Sequence, residues 1–458
     1  MKKIFLQTND LDKNTSENLG INELVLMENA ASKIETIIRK KVKKHSKILA
    51  VCGSGNNGAD AICALRKLSG DYECYVYFVS KNLHKMPQIQ LNIAKKVGVR
   101  EVLNLDNNYK CVLDGIYGSG FSGEIDNETQ CIIEKINQIK ALKIAVDIPS
   151  GINLYGQIKQ ISFKADITVC MGALKIALFS DIVKDFVGKI IVANLGISRD
   201  KFEKESNVNL LEKSDMILPI RKHKNTNKGS FGHTYVVCGD MNGASEIAAL
   251  SANAVGSGLV SIVGENMCIN PIIMQKDSLK NAKVVVIGCG LGKKEVNFDE
   301  LQDKTLVIDA DMCYMQKTIT LIEKNPNFII TPHPKEFSSL LKLANLAQID
   351  TQELQENRFK YAKIWSENFR GVLVLKGANT IIASNGKLFV MTKGTNALAK
   401  GGSGDVLAGI IGGLLAQNYT LLDASISGVL MHAYAAKKFK KHSYSLNSFD
   451  LIKGLKCL

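Results

Sequence analysis

Lys400-Gly401-Gly402-Ser403-Gly404-Asp405-Val406-Leu407-Ala408-Gly409-Ile410 is a glycine-rich turn that runs into an apolar segment. Gly401, Gly402 and Gly404 let the backbone turn tightly and expose its N–H groups. Val406, Leu407, Ile410, Ile411, Leu414 and Leu415 then recur at helical spacing. A turn of this kind opening a helix makes an anion site, because the first-turn N–H groups are unpaired and the dipole is positive there. Asp405 at the helix mouth is expected to stay charged beside the anion. It would take a proton from a substrate hydroxyl while the N–H groups hold a phosphoryl group. The plain alternative is an N-capping Asp after a glycine loop. The pentapeptide alone does not separate the two.

Working outward, the second half of the chain repeats strand, polar turn, helix. Tyr235–Cys238 precedes Gly239–Ala244, with a helix expected over Ile247–Val255. Val284–Ile287 runs into Gly288-Cys289-Gly290-Leu291-Gly292, and Leu306–Ile308 precedes Asp309-Ala310-Asp311. Ile329-Ile330 precedes Thr331-Pro332-His333-Pro334-Lys335-Glu336, and Val372–Leu375 precedes Lys376-Gly377-Ala378-Asn379-Thr380. His333 between two prolines is held extended, which suits a binding role or a rigid surface turn. Lys376 at a strand end suits a phosphate contact or a solvated lysine.

The first half has the same grammar. Ile21, Leu24, Met27, Ala31, Ile34 and Ile38 mark one face of a long helix. Ile48–Cys52 is a continuous apolar run of the kind buried in a parallel sheet. It ends in Gly53-Ser54-Gly55-Asn56-Asn57-Gly58-Ala59-Asp60, the opening of a Rossmann-like unit, whose amide and carboxylate oxygens suit a hard cation or a ribose. Later strands end in Asp114 and in Asp147-Ile148-Pro149-Ser150. Ligand crevices in open α/β sheets lie at strand carboxyl ends, so Asn57, Asp114, Asp147 and Ser150 are expected to converge. For any one of these aspartates, loop capping is the plain alternative.

Composition bounds the rest. At 458 residues, two or three domains are expected. The formal net charge of +14 invites nucleic acid, but the lysines are dispersed and no basic run is interleaved with aromatics. No specific nucleic-acid partner is expected. The basic run Arg39–Lys44 ends a helix, where cations favour the dipole. The 11 cysteines form no CxxC pair and fall mostly in apolar runs, the usage of reduced, buried thiols in a cytoplasmic protein, with zinc disfavoured. The N-terminal apolar run is too short for a signal peptide, and no stretch is long enough to span a membrane. The joint between halves is expected near residues 200–215.

Leu26-Met27-Glu28-Asn29-Ala30-Ala31, the Gly53–Asp60 turn, Asp114-x-x-Tyr117-Gly118-x-Gly120, Val146–Gly151 and Met171-Gly172-x-x-Lys175 together resemble the NAD(P)H-hydrate epimerase domain. That resemblance implies a potassium ion held by Asn57, Asp114 and Ser150. It implies substrate binding by Asn56, Asn57, Gly58, Ala59 and Asp60, by Gly118, Ser119, Gly120, Phe121, Ser122, Gly123 and Glu124, and by Asp147. Asp147 would be the acid/base, with Lys175 near it. Ala59 and Ala31 stand where the family has glycine, and Ala59 is expected to restrict backbone approach. Lys228-Gly229-x-x-Gly232, Gly288–Gly292, Asp309–Asp311, Thr331–Glu336, Leu375–Ala378 and Gly402–Asp405 resemble the ADP-dependent NAD(P)H-hydrate dehydratase. This second resemblance implies that Ala244, Gly290, His333 and Asp405 bind the hydrated cofactor. Lys376, Gly377, Ala378, Asn379, Thr380 and Gly404 would bind the adenine nucleotide. Ser403 replaces the family's Thr, and Met241-Asn242 replace its usual Tyr.

The implied fold is α/β in two domains: an N-terminal Rossmann-like three-layer domain over residues 1–205 and a C-terminal ribokinase-like domain over 212–458. The implied function is repair of hydrated NADH and NADPH, with ADP as phosphoryl donor accompanied by Mg2+, and a homo-oligomer is expected. Catalysis would rest on Asp405, Asp147 and Lys175. The alternatives are a ribokinase-like small-molecule kinase of the hydroxymethylpyrimidine type and a non-catalytic nucleotide sensor. The epimerase-like first half argues against the former, and the retained acid/base residues against the latter.

Overall fold

The computed structural model describes residues 1–80, 82–265 and 270–458. Its contacts divide the chain into Lys3–Ser206 and Asn207–Leu458, the latter with Met1–Lys2. In Lys3–Ser206 a seven-stranded parallel sheet runs in the order Arg100–Glu101, Glu73–Phe78, Lys47–Cys52, Cys111–Gly115, Leu142–Val146, Ile167–Met171, Lys189–Ala193. The order reverses between Lys47–Cys52 and Cys111–Gly115, and ligand crevices open beyond the strand ends at such a point.

Both faces of this sheet are covered, which is why its strands read as unbroken apolar runs. Ile48, Ala50 and Cys52 meet Met27, Ala31, Ile34 and Ile38 of helix Glu23–Lys41 and Ile62 and Leu65 of helix Asn56–Leu68. Leu49, Val51 and Val112 meet Ile132, Ile133 and Ile136 of helix Asn127–Gln138. The helix expected from Ile21 begins at Glu23, because the Asn22 side chain accepts the Leu24 N–H at 2.9 Å and caps it. Ala31 and Ala59 are fully buried in the core.

In Asn207–Leu458 the strand order is Met274–Lys276, Leu259–Val263, His233–Val237, Val284–Ile287, Thr305–Ile308, Phe328–Ile330, Val372–Leu375, Thr380–Ser384, Lys387–Met391, Val208–Leu210. Only the pairings made by Thr380–Ser384 are antiparallel. Val236, Val286, Val307 and Val374 pack with helices Asn242–Ala254, Ser403–Ala416 and Leu421–Lys438. On the opposite face Val285, Leu306 and Leu373 pack with Ile322, Phe337, Leu340 and Trp365. Helices on both faces of a mainly parallel sheet with one antiparallel insertion are the architecture that the ribokinase-like expectation requires. Among the described cysteines most are buried, as expected, with Cys131 and Cys457 exposed; Cys268 lies outside the described residues. No described helix is long and apolar enough to cross a membrane.

Helix Ser403–Ala416 approaches helix Asn242–Ala254 at backbone contact. A Cβ on Gly409 would lie 2.1 Å from the Ala248 carbonyl oxygen, and one on Gly413 2.7 Å from that of Ala252. Gly409→Ala should therefore destabilise Asn207–Leu458 by about 1–3 kcal/mol. Helix propensity alone would stabilise by ~1 kcal/mol. Urea unfolding of the variant gives the sign.

Candidate functional sites

In Lys3–Ser206 the strand ends bring most of the predicted residues together. Asp114 is fully buried, and its Oδ2 accepts the Ser150 N–H at 2.7 Å while its Oδ1 accepts the Ser150 hydroxyl at 2.6 Å. The Ser150 oxygen accepts the Tyr117 N–H at 2.9 Å, and Asn57 Nδ2 donates to the Tyr117 carbonyl at 2.8 Å. Burial pushes the Asp114 carboxyl up to about 6 despite these hydrogen bonds. Among the described residues it pairs with no lysine or arginine. A buried carboxylate flanked by amide and hydroxyl oxygens suits a hard cation.

Asp147 lies one turn away. Its φ of 68° and the Ile148 N–H bond to the Val146 carbonyl at 2.9 Å place it at the centre of a strained γ-turn. Such strain persists only where neighbours fix it. Lys175 Nζ holds Asp147 Oδ1 at 2.5 Å, the Met171 N–H holds the same oxygen at 3.1 Å, and the Ser119 N–H meets Oδ2 at 3.3 Å. Lys175 is 1% exposed; burial pulls its proton affinity down, but Asp147 and Cys170 more than compensate and leave it raised. Its backbone is pinned by pairing of Ile4 and Phe5 with Leu174 and Lys175.

Two further carboxylates lie near Asp147: Asp60, expected beside it as a substrate contact, and Asp12, which the sequence did not mark. Burial pushes Asp12 up to about 6, with Lys175 opposing and Asp147 adding to the rise. Asp60 is raised further by burial and by Asp147 and Asp12. Leu11, beside Asp12, packs with Ala173, beside Gly172. Asn56 donates to Glu23 Oε1 at 2.9 Å. A Cβ on Gly118 would lie 3.1 Å from Asn57 Cγ, so the two predicted loops touch. The Ala59 methyl is in the core and its N–H bonds to the Gly55 carbonyl at 3.3 Å. Gly120, Ser122, Gly123 and Glu124 are exposed. Phe121, Ser122 and Gly123 border a cavity of about 150 Å3 also lined by Asn153, Tyr155 and Lys159.

In Asn207–Leu458 a polar chain links the other predicted residues. His333 caps helix Pro334–Leu343, with its Nδ1 accepting the Glu336 N–H at 3.2 Å and Glu336 Oε2 accepting the His333 N–H at 2.7 Å. Rigid capping is thus part of what the two prolines serve. Glu336 Oε2 lies 3.7 Å from Lys376 Nζ, which donates to Asp309 Oδ1 at 2.7 Å. Thr331 Oγ1 donates to the same Asp309 oxygen at 2.8 Å. A Cβ on Gly404 would stand 3.5 Å from Lys376 Nζ and 3.7 Å from Asp309 Oδ2. Lys376, the glycine-rich turn and Asp309 therefore meet. Gly290 faces Ala244, since a Cβ on the former would lie 2.8 Å from the latter's. Gly377 and Ala378 are exposed, whereas Asn379 and Thr380 are buried.

Asp405 occupies the first turn of Ser403–Ala416, whose N-cap is Gly402 in the left-handed region with no side-chain cap. The capping alternative finds no bond here. Burial, then the charge of Asp309, push the carboxyl up to about 6, against the Cys289 hydrogen bond and Lys376, which still leaves it mostly charged at neutral pH. Cys289, Asp309 and Asp405 place potential ligand atoms within 4.8 Å of one another. They do not fit a metal site, because the Lys376 ammonium already neutralises Asp309. His432, missed in the sequence, is buried near the Ser403 backbone and held down to about 4 by burial, hence neutral.

Residues 23–177 match the family profile described as YjeF-related protein N-terminus, and residues 234–456 that of NAD(P)H-hydrate dehydratase. The bifunctional NAD(P)H-hydrate repair enzyme of Helicobacter pylori is 39% identical, with 100% of each chain aligned. That of Coxiella burnetii is 32% identical over 94% of this chain and 93% of its own. A crystal structure of the Bacillus subtilis ADP/ATP-dependent NAD(P)H-hydrate dehydratase, grown with ATP and Mg2+, aligns at 26% identity with TM-score 0.44, over 51% of this chain and 91% of that one.

Asp405 also makes a stability prediction. Its folded proton affinity exceeds the ordinary value of 3.8, so its favourable contribution is complete below that pH and is lost as pH rises through about 6. Asp405→Asn, neutral throughout, should melt above the unaltered chain well above that pH, with the advantage gone in acid. A capping Asp would give the opposite sign. Differential scanning calorimetry at the two extremes reads it.

Proposed function

The chain belongs to the family of bifunctional NAD(P)H-hydrate repair enzymes, and on that premise we propose how its two halves divide the work. Residues 1–205 interconvert the R and S hydrates of NADH and NADPH. Residues 212–458 dehydrate the S hydrate with ADP, releasing AMP and phosphate. The observation that carries the second assignment is Asp405, raised by burial, at the mouth of a helix beside the Asp309–Lys376 pair.

In the dehydration, the nicotinamide-ring hydroxyl gives its proton to Asp405 as its oxygen attacks the terminal phosphorus of ADP. The new O–P bond forms while the bond to AMP breaks. Backbone N–H groups at Ser403–Asp405 hold the charge on the transferring group, and Lys376–Thr380 with Gly404 carry the nucleotide. Phosphate then departs with its oxygen, the neighbouring ring carbon loses a proton, and the double bond returns. Ala244, Gly290 and His333 hold the hydrate. Mg2+ would accompany the phosphates, keeping several of its waters.

In the epimerisation, Asp147 serves as acid/base, held by Lys175 and the Ser119 N–H, with Asn56–Asp60 and Gly118–Glu124 around the substrate. Asn57, Asp114 and Ser150 would hold K+, whose charge offsets the buried Asp114. We also propose a homo-oligomer, and a cytoplasmic location, with which the free thiols of the described cysteines are consistent.

Incubating the chain with chemically hydrated NADH and ADP should restore the reduced-nicotinamide absorbance. A stable phosphorylated hydrate instead would indicate a kinase. Asp405→Asn should slow dehydration by about 10²–10⁴-fold, the usual contribution of a general base. Epimerisation, followed by chromatography of the two hydrates, should be unchanged. Asp114→Ala should weaken epimerisation and remove its dependence on potassium; epimerisation of the unaltered chain that ignores potassium would remove the cation from the scheme.

A further inference from the structure

We propose that Asp309 is a positioning residue for dehydration, a fixed negative charge that strengthens Asp405 as a base. This rests on the assignment of Asp405 as the base. The two carboxylates come within 4.8 Å of each other. Asp309 is 2% exposed, so its charge is little screened by water. Its Oδ1 is held by Lys376 Nζ at 2.7 Å and Thr331 Oγ1 at 2.8 Å, and its Oδ2 faces the Cys289 thiol at 3.9 Å.

A second carboxylate this close makes the charged form of Asp405 less favourable. Asp309 has a fixed cation and a hydroxyl donor. Asp405 has neither, since Lys376 is drawn towards Asp309 and, at 3.7 Å, Glu336. The groups facing Asp405 are therefore Asp309, which raises its proton affinity, and Lys376 and the Cys289 thiol, which lower it. Burial keeps Cys289 protonated, so it adds no charge of its own. The balance leaves a carboxylate basic enough to take a hydroxyl proton near neutral pH. Lys376, meanwhile, stays anchored at the nucleotide loop.

The test is the pH dependence of kcat/KM for dehydration by the full chain, with hydrated NADH and saturating ADP. In Asp309→Asn the acid limb should move to lower pH by roughly one unit or more. The plateau rate should fall, because the base is weaker. Asp309→Glu, which keeps the charge, should hold the limb near its original place. Epimerisation and melting on the same preparations report folding. Should Asp309→Asn not fold, Thr331→Val serves. Without the Thr331 hydroxyl the Asp309 carboxylate is held less firmly beside Asp405, and the limb should move in the same direction by a smaller amount. Reduced turnover with the limb unmoved would make Asp309 a mere spacer and overturn the proposal. Asp405→Asn run alongside keeps the two assignments apart: near-normal turnover there would remove the base itself, whatever Asp309 does.

Discussion

A buried ammonium must be met by a carboxylate, and both units are arranged around that requirement. Lys175 and Lys376 each follow an apolar stretch and each reach an Asp at another strand's carboxyl end, at 2.5 and 2.7 Å. Breaking such a pair by removing one member typically costs about 3–5 kcal/mol, because the survivor is left uncompensated. The pairs therefore fix the loops that carry them. The γ-turn at Asp147 is tolerable because Lys175, Met171 and Ser119 bind its carboxylate from three sides. The loop after Val372–Leu375 is set by Lys376 in the same way, with its N–H bonded to the Pro332 carbonyl at 2.9 Å.

The two pairs are put to different use. In Lys3–Ser206 the aspartate that meets the lysine also borders the predicted substrate loop, through the Ser119 N–H. In Asn207–Leu458 the paired aspartate lies behind, and the one at the helix mouth is left without a cation. Burial, then Asp309, raise Asp405 to about 6 against Lys376, while Glu336, bonded to His333 and near Lys376, is lowered despite burial. His333 and Lys376 outweigh burial at Glu336, whereas Lys376 does not outweigh it at Asp405. Groups of one chemical type acquire different proton affinities only because the fold spaces them differently.

Much of this was legible in the sequence because it is local. Ile48–Cys52 and Val284–Ile287 read as buried parallel strands, and each ends in a glycine turn where the sheet order reverses. The hairpin Thr380–Ser384 to Lys387–Met391 was missed although its turn carried the signal: Asn385-Gly386, with φ of 49° and 72°, between apolar runs. What could not be read was pairing at a distance. Asp309 and Lys376 are separated by 67 positions, and no periodicity links them. Asp12 sits on a polar helix whose only clue is Leu11, packed against Ala173. The raised proton affinity of Asp405 was not legible either, because burial, the largest influence on it, belongs to the fold and not to the pentapeptide.

Asp114 and Asp309 show why hydrogen bonds and charge are not interchangeable. Both are buried at strand carboxyl ends, 0% and 2% exposed. Asp114 accepts from the Ser150 N–H and hydroxyl and from the Ile116 N–H, yet burial still pushes it up to about 6. Neutral donors offset only part of what water gave the carboxylate. Asp309 has fewer donors but also an ammonium. Lys376 supplies from within the chain the positive charge that Asp114 lacks among its described neighbours. The oxygen atoms of Asn57 and Ser150 beside Asp114 are hard donors, poorly matched to a soft metal and well matched to a weakly polarising cation. Neutral hydrogen bonds thus leave Asp114 raised by burial, and only a charged partner of the kind Asp309 has in Lys376 could offset that in full.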